Sequence, residues 1–381
     1  MTKRVRTESV PDRAVLDARP GGRTVWGRAA TKGDRNSAPS RPAPAPARLE
    51  WVDTGRGLAI SLVALFHATS WIAGTGLDVG VWVDVNTVLS SLRMPLFFTL
   101  SGLFAAKWLT ASWRDLVRTK VLLFAWVLLV WSVIGMVVQL AGLHIAGQPV
   151  NVVAGARGVL LALVNPPFEL WFIWALALFF VLAKVTRGIR PVIQLLVAGA
   201  LSAFGLTVWL TLTTGLTGSA KFYFFFLCGL YLRSSILAVA SARASVLAVV
   251  VLAWAAVSTT LFVFDLRDFP GAYFVNGILG VVAGVAVSRA LVWFRLLARL
   301  GGQTLPIYLA HTPIIIATAS LLLLLPSVVS ALGAVSWVVP PLVAALAVAG
   351  ALGLHAACRR GILRFLYEPP PFAARLLRDD R

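Results

Sequence analysis

From about residue 50 onward the chain is a succession of apolar runs, each close to 20 residues long and separated by short polar loops. No other feature constrains the fold as strongly. About 20 helical residues rise roughly 30 Å, which is the thickness of the hydrocarbon core of a bilayer. Backbone N–H and C=O groups find no water at that depth, so a crossing segment must pair them internally, as a helix does. With 59% hydrophobic and 13% charged residues and a mean hydropathy of +0.86, the chain carries more apolar surface than a soluble domain needs. The expected class is all-α, a polytopic membrane helical bundle.

Ten spans are expected, over roughly 56–74, 86–108, 120–143, 168–185, 191–214, 220–233, 244–264, 271–289, 304–325 and 337–357. Residues 152–164 read as an amphipathic or re-entrant piece before the fourth. Basic residues fall in alternate loops: Lys107, Arg114, Arg118 and Lys120, then Lys184, Arg187 and Arg190, then Arg233 and Arg243, then Arg289, Arg295 and Arg299. The loop at 326–336 has no charge. That alternation places both termini in the cytoplasm and the protein in the plasma or inner membrane as a multi-pass protein. Residues 1–48, rich in Arg, Pro, Gly and Ala, read as a disordered cytoplasmic tail. Residues 49–358 form the transmembrane domain, and 359–381 a basic cytoplasmic C-terminal tail.

The net charge of +19 suggests nucleic acid only until its distribution is considered. The cations follow membrane topology, and no basic patch with interleaved exposed aromatics occurs, so nucleic acid is not an expected partner. Cys228 and Cys358 are too few for a disulfide framework or a zinc site, and no metal-ligand cluster, GxSxG motif or Gly-rich phosphate loop is present.

Within the first span, "RGLAISLVALFH" carries Arg56 and His67, eleven residues apart. At 100° per residue that separation is three turns plus about 20°, so the two side chains share a helix face about 16 Å apart along the axis. With the N-terminus inside, Arg56 sits at the cytoplasmic mouth and His67 near mid-membrane. Ionisable groups at such depth face a bundle interior or a polar path and are functional candidates. The structural alternatives are a helix–helix hydrogen bond for His67 and interfacial snorkelling for Arg56.

Four stretches carry a resemblance. "VDTGRGLAISLVALFH" (52–67) resembles the start of the membrane-bound acyltransferase type 3 family, whose first helix carries an Arg, ten residues, then a His. "MPLFFTLSGLF" (94–104), "ELWFIWALALFF" (169–180) and "LGGQTLPIYLAHTPI" (300–314) are similar to three later motifs of that family and follow in its order. The resemblance implies transfer of an acyl group, commonly acetyl, from a cytoplasmic acyl-CoA-type donor to a hydroxyl, with no permanently bound cofactor. Acceptors in the family are usually cell-envelope or exported carbohydrates, sometimes lipids or small metabolites. It also implies catalytic roles for His67 and Arg56. The chain departs from the pattern where a His commonly precedes the Leu-Trp-Phe element and here Glu169 stands. Some relatives carry a further hydrolase-like domain; a separate extracytoplasmic partner is expected for any later transfer step.

A neutral imidazole within hydrogen-bond reach can take the proton of a hydroxyl as it attacks a thioester. On that reading His67 is the general base, with the role of acyl-carrying nucleophile as the alternative. Arg56 offers a forked donor for the phosphates of the donor, and Lys107, Arg114, Arg118 and Lys120 extend that surface, against the alternative that these four only set topology. Tyr308, His311, Arg93, Ser101 and Glu169 are candidates for acceptor binding, against a structural polar contact for His311, interfacial anchoring for Arg93 and an acyl-carrying nucleophile for Ser101. Arg93 is expected at the outer edge of the second span, and Ser101 and Gly102 at a close helix approach. A transporter or flippase of a lipid-linked or small polar substrate is the competing class. All fifteen Asp and Glu fall in tails, loops or span ends, which leaves it no buried carboxylate to couple ions. A sensor or scaffold that kept the fold without the activity is a third.

Overall fold

The computed structural model describes residues 49–207, 213–269, 271–359 and 361–370. Helix α1 (Glu50–Ala73) is followed by α2 (Gly80–Gly102), two short helices, α3 (Ala106–Thr110) and α4 (Trp113–Leu116), and a π turn (Val117–Val121) that runs on into α5 (Leu122–Ile145). After a short α6 (Val152–Leu160), a 3-10 turn at Phe168–Leu170 opens α7 (Trp171–Val185). Then come α8 (Pro191–Thr207), α9 (Thr214–Tyr231), α10 (Arg233–Ala240), α11 (Ala244–Val263) and α12 (Ala272–Ala290). The last four are α13 (Arg295–Gly301), α14 (Thr304–Leu323), α15 (Pro326–Leu332) and α16 (Val339–Cys358). Among the described residues there is no strand, and the protein is an all-α membrane bundle.

Each of the ten expected segments meets a helix, but they are not equal as membrane spans. Seven stretches are long and apolar enough to cross, namely Glu50–Ala73, Trp113–Ile145, Phe168–Gly188, Ala244–Val263, Ala272–Ala290, Thr304–Leu323 and Pro326–Cys358. An eighth is added if α9 and α10, which meet at an 80° bend, count as one. Polar content separates α2 from this set, because its 23 residues include Asp84, Asn86 and Arg93. α8 is shorter than a full crossing, and residues 208–212 of the expected fifth span lie outside the described residues. So do the expected N-terminal tail, 1–48, and residues 371–381 of the C-terminal one.

α1 lies at the centre, in contact with α2, α12, α13, α14 and α16. The approach to α13 is close enough to require glycine. A Cβ at Gly57 would strike the Leu297 carbonyl, and one at Gly301 would strike the Asp53 carbonyl. α13 carries Arg295 and Arg299, so this contact puts their helix beside the first turns of α1, below Arg56. On the neighbouring side, buried Lys184 at the end of α7 donates to the carbonyls of Trp108 (3.2 Å), Leu109 (3.4 Å) and Ala111. Its three N–H groups thereby satisfy the carbonyls that the end of α3 leaves open. These ties gather the cationic loops at one end of the bundle, which is called the basic end below. Aromatic packing fills the middle, with Phe98, Phe179, Phe225 and Phe226 fully buried between α2, α7 and α9. Beyond α16, Trp126 and Trp131 of α5 donate to the carbonyls of Phe365 (2.7 Å) and Leu366 (2.8 Å), and Tyr367 is buried against Trp131.

Candidate active site

Arg56 and His67 project from the same side of α1, as the spacing requires, and each meets a different cluster. His67 lies 17 residues after Glu50, the first residue of the helix, so about 25 Å along a 24-residue helix. It therefore sits in the third of α1 farthest from the basic end, deeper than Arg56 by the expected three turns.

At that level His67 Nδ1 is 3.1 Å from Glu169 Oε1, with the two side chains 16% and 15% exposed. A carboxylate only accepts from a neutral or charged imidazole, so Nδ1 carries a proton and Nε2 is left as the acceptor of the neutral ring. Glu169 is thus a carboxylate inside the bundle, which corrects the expectation that none would be buried there, and its own backbone holds it in place. The 3-10 turn at Phe168–Leu170 follows Pro166 and Pro167, and Phe168 adopts φ +53, a conformation a bulky side chain rarely takes. The Phe168 ring fills the space left by Gly135 of α5. Tyr308 of α14 donates its hydroxyl to the Glu169 carbonyl. Its ring also rests 5.3 Å from that of Phe172, so α14 and α7 lock the turn between them.

A second imidazole adjoins the first. The His311 ring centroid is 5.4 Å from that of His67, and the side chain is fully buried. Its Nδ1 is 2.7 Å from the Tyr308 carbonyl and 3.1 Å from the Ile307 carbonyl. Both partners are acceptors, so Nδ1 donates, and Nε2 accepts from the Thr312 hydroxyl at 3.2 Å. Arg93 closes the cluster from α2. Its guanidinium lies 4.3 Å over the Phe66 ring and donates to Asn86 Oδ1 at 3.2 Å, while Asn86 Nδ2 donates to Thr69 of α1 at 3.0 Å. The expected place of Arg93 at the outer edge of its span is corrected here. It is buried in the middle of a helix that begins at Gly80.

Toward the basic end, a cavity of about 310 Å³ is lined by Arg56, Ser101, Lys107, Trp108, Lys120 and Tyr308, with aromatic walls from Phe97, Phe124, Phe172 and Phe180. Arg56 is steadied by the Leu100 carbonyl (3.4 Å) and the Phe104 ring (4.8 Å). Lys107 and Lys120 lie over the Trp108 ring at 5.0 and 5.6 Å. Three cations around a cavity without a lining carboxylate suit an anionic ligand. Tyr308 also lines a much smaller cavity with Trp131, Glu169 and Thr312, so its ring is the partition between the cationic chamber and the His67–Glu169 layer.

The family model describing an acyltransferase domain, acyltransferase 3, matches residues 49–356. The chain belongs to the acyltransferase 3 family. No curated protein and no solved structure matches it. The protein is thus a multi-pass membrane acyltransferase of that family, and its membrane domain is the family domain almost end to end.

The acyltransferase 3 fold brings together His67, Glu169, Tyr308, His311 and Arg93 in one layer, and Arg56, Ser101, Lys107 and Lys120 around the cationic cavity. Arg114 and Arg118 are exposed and do not line that cavity. Ser101 donates back to the Phe97 carbonyl of its own helix (2.9 Å). Sequence reasoning passed over Thr312 and Trp108. A threonine beside a motif histidine and a tryptophan in a basic loop carry no pattern that separates them from packing residues. Among the described residues no group of three His, Cys, Asp or Glu side chains is placed to hold a metal ion.

Proposed function

We propose that the protein is an integral-membrane O-acyltransferase in which His67 is the general base, Glu169 positions it, and the cationic cavity receives an acyl-CoA-type donor. The observation that carries this reading is the His67–Glu169 pair, 3.1 Å apart, with His67 on the same face of α1 as Arg56, which lines the cationic cavity. Arg56, Lys107 and Lys120 bind the donor's phosphates, and the acyl end passes the Tyr308 partition toward His67. The acceptor hydroxyl gives its proton to His67 Nε2 as its oxygen attacks the thioester carbonyl carbon. The C–S bond then breaks, and the leaving thiolate takes the proton back from the imidazolium, so that an ester and a free thiol are formed and the base is restored. Glu169 keeps Nδ1 protonated and stabilises the positive ring as it forms. The donor is acetyl-CoA and the acceptor an envelope or exported carbohydrate, at the plasma membrane with the basic end inside.

Membranes carrying the protein, supplied with radiolabelled acetyl-CoA, should accumulate hydroxylamine-labile acetyl ester on the acceptor fraction. His67→Ala should insert at the normal level and incorporate no label. Incorporation at the unmodified rate by His67→Ala would overturn the assignment.

A further inference from the structure

α5 serves as a ruler along the bundle. Lys120, Leu123 and Phe124, at its start and in the π turn before it, line the cationic cavity, and Trp131 and Gly135 line the small cavity beside Glu169. Farther on, Ser132, Met136, Gln139, Leu140 and Leu143 form one wall of a third cavity of about 320 Å³. At 1.5 Å per residue, Phe124 stands about 16 Å before Gly135, and Leu143 about 12 Å after it. The third cavity therefore lies on the opposite side of the His67–Glu169 layer from the cationic chamber.

Its other wall is α6, whose Ala154, Gly155, Gly158 and Val159 face it, with Pro149 and Asn151 of the preceding loop. Nothing stands within 4 Å of where a Cβ at Gly158 would lie, so the missing side chain is what keeps this wall open. The inner end is Pro167 and Phe168, and Phe168 also lines the small cavity that holds Glu169. Phe168 is thus the partition between the groove and the small cavity beside Glu169, as Tyr308 is on the donor side, and it is a strained residue. Its lining is mostly apolar. The Ser132 hydroxyl is spent on the Leu128 carbonyl (2.6 Å), and Asn151 Oδ1 accepts from the Ala154 N–H (2.8 Å). The Gln139 amide makes no hydrogen bond to a described residue. On the outside of α6 stand Val152, Val153 and Leu160, 60%, 80% and 82% exposed, with the exposed Arg157 among them, an amphipathic rim suited to the lipid boundary.

We infer that the α5–α6 groove is the acceptor site, and that the acceptor carbohydrate is presented as an amphiphile, a sugar headgroup on an apolar chain that enters sideways from the bilayer. This rests on the reading of His67 as the base. The apolar chain lies along Met136, Leu140 and Leu143, the headgroup meets the Gln139 amide and Phe168, and its hydroxyl reaches His67 from the side away from the donor once the Phe168 side chain swings aside. The volume matches a small molecule and not a polysaccharide chain.

The test uses the full-length protein in nanodiscs and a decyl glucoside with a photoreactive diazirine in its alkyl chain. Labelled peptides should map to 132–143 and 151–159. Excess unlabelled decyl glucoside should compete and free glucose should not. Gly158→Leu, which fills the groove from an open position, should lower labelling by about tenfold and leave binding of coenzyme A to the cationic cavity unchanged. Labelling spread evenly over other outward-facing helices, competition by free glucose, or labelling insensitive to Gly158→Leu would overturn the inference. His67→Ala should still label in the groove while losing transfer. Persistent transfer in that variant would instead defeat the assignment of the base and leave the groove standing.

Discussion

Replacing Glu169 with Gln removes a charge and keeps the shape of the side chain, so its effect can be worked from one distance. Before reaction the neutral His67 ring gains only a hydrogen bond from Glu169. Once the ring has accepted the proton, a carboxylate 3.1 Å away attracts it by about 5 kcal/mol at an effective dielectric constant of about 20. The attraction grows along the reaction coordinate, and it lowers the barrier by the part realised in the transition state. With the proton about half transferred, and with some screening of side chains that are 16% and 15% exposed, about 2–3 kcal/mol remains. At about 1.4 kcal/mol per decade, kcat should fall roughly 30- to 150-fold in Glu169→Gln. Glu169→Ala should fall further, because it also frees the ring to turn. Release of free thiol from acetyl-CoA by reconstituted protein is the assay. The KM for the donor should stay unchanged, since Glu169 does not line the cationic cavity. Full kcat in Glu169→Gln, or a loss confined to donor KM, would refute the reasoning.

Other expectations follow from the basic end. Arg56→Lys keeps the charge but loses the fork, and should weaken coenzyme A binding about tenfold in a titration; unchanged affinity would remove Arg56 from the donor site. Lys184→Met leaves the carbonyls of Trp108, Leu109 and Ala111 without their buried donor, at a cost of about 2–3 kcal/mol. Thermal unfolding in detergent should move down by several degrees, with weaker donor binding because Lys107 and Trp108 ride on that segment; an unshifted Tm would show that the tie is dispensable. Gly301→Val sets a branched side chain against the Asp53 carbonyl and must open the α1–α13 contact. Its folded yield should collapse, and a normal yield measured by size-exclusion chromatography would count against the close approach.

The membrane class, the helical segments and the shared face of Arg56 and His67 are local properties, set by hydropathy over about 20 residues and by the period of a helix, and the chain shows them without folding. The polar turns at the start of α2 defeated that reading. The expected span begins at Asn86 and leaves Asp84 in the loop, yet the helix starts at Gly80, with Asn86 paired with Thr69 and Arg93 inside the bundle. A boundary drawn from polarity alone put Arg93 at a helix edge for that reason. Glu169 was visible only as a departure from a family pattern. Its pairing with His67 joins residues about a hundred positions apart and depends on a strained turn, on the Gly135 vacancy and on the Tyr308 hydroxyl. Nor does any linear signal place the cationic cavity and the α5–α6 groove on opposite sides of that pair. Hydropathy and helical period belong to neighbours in the chain; a site belongs to neighbours in space, and those exist only once α1, α5, α7 and α14 have packed.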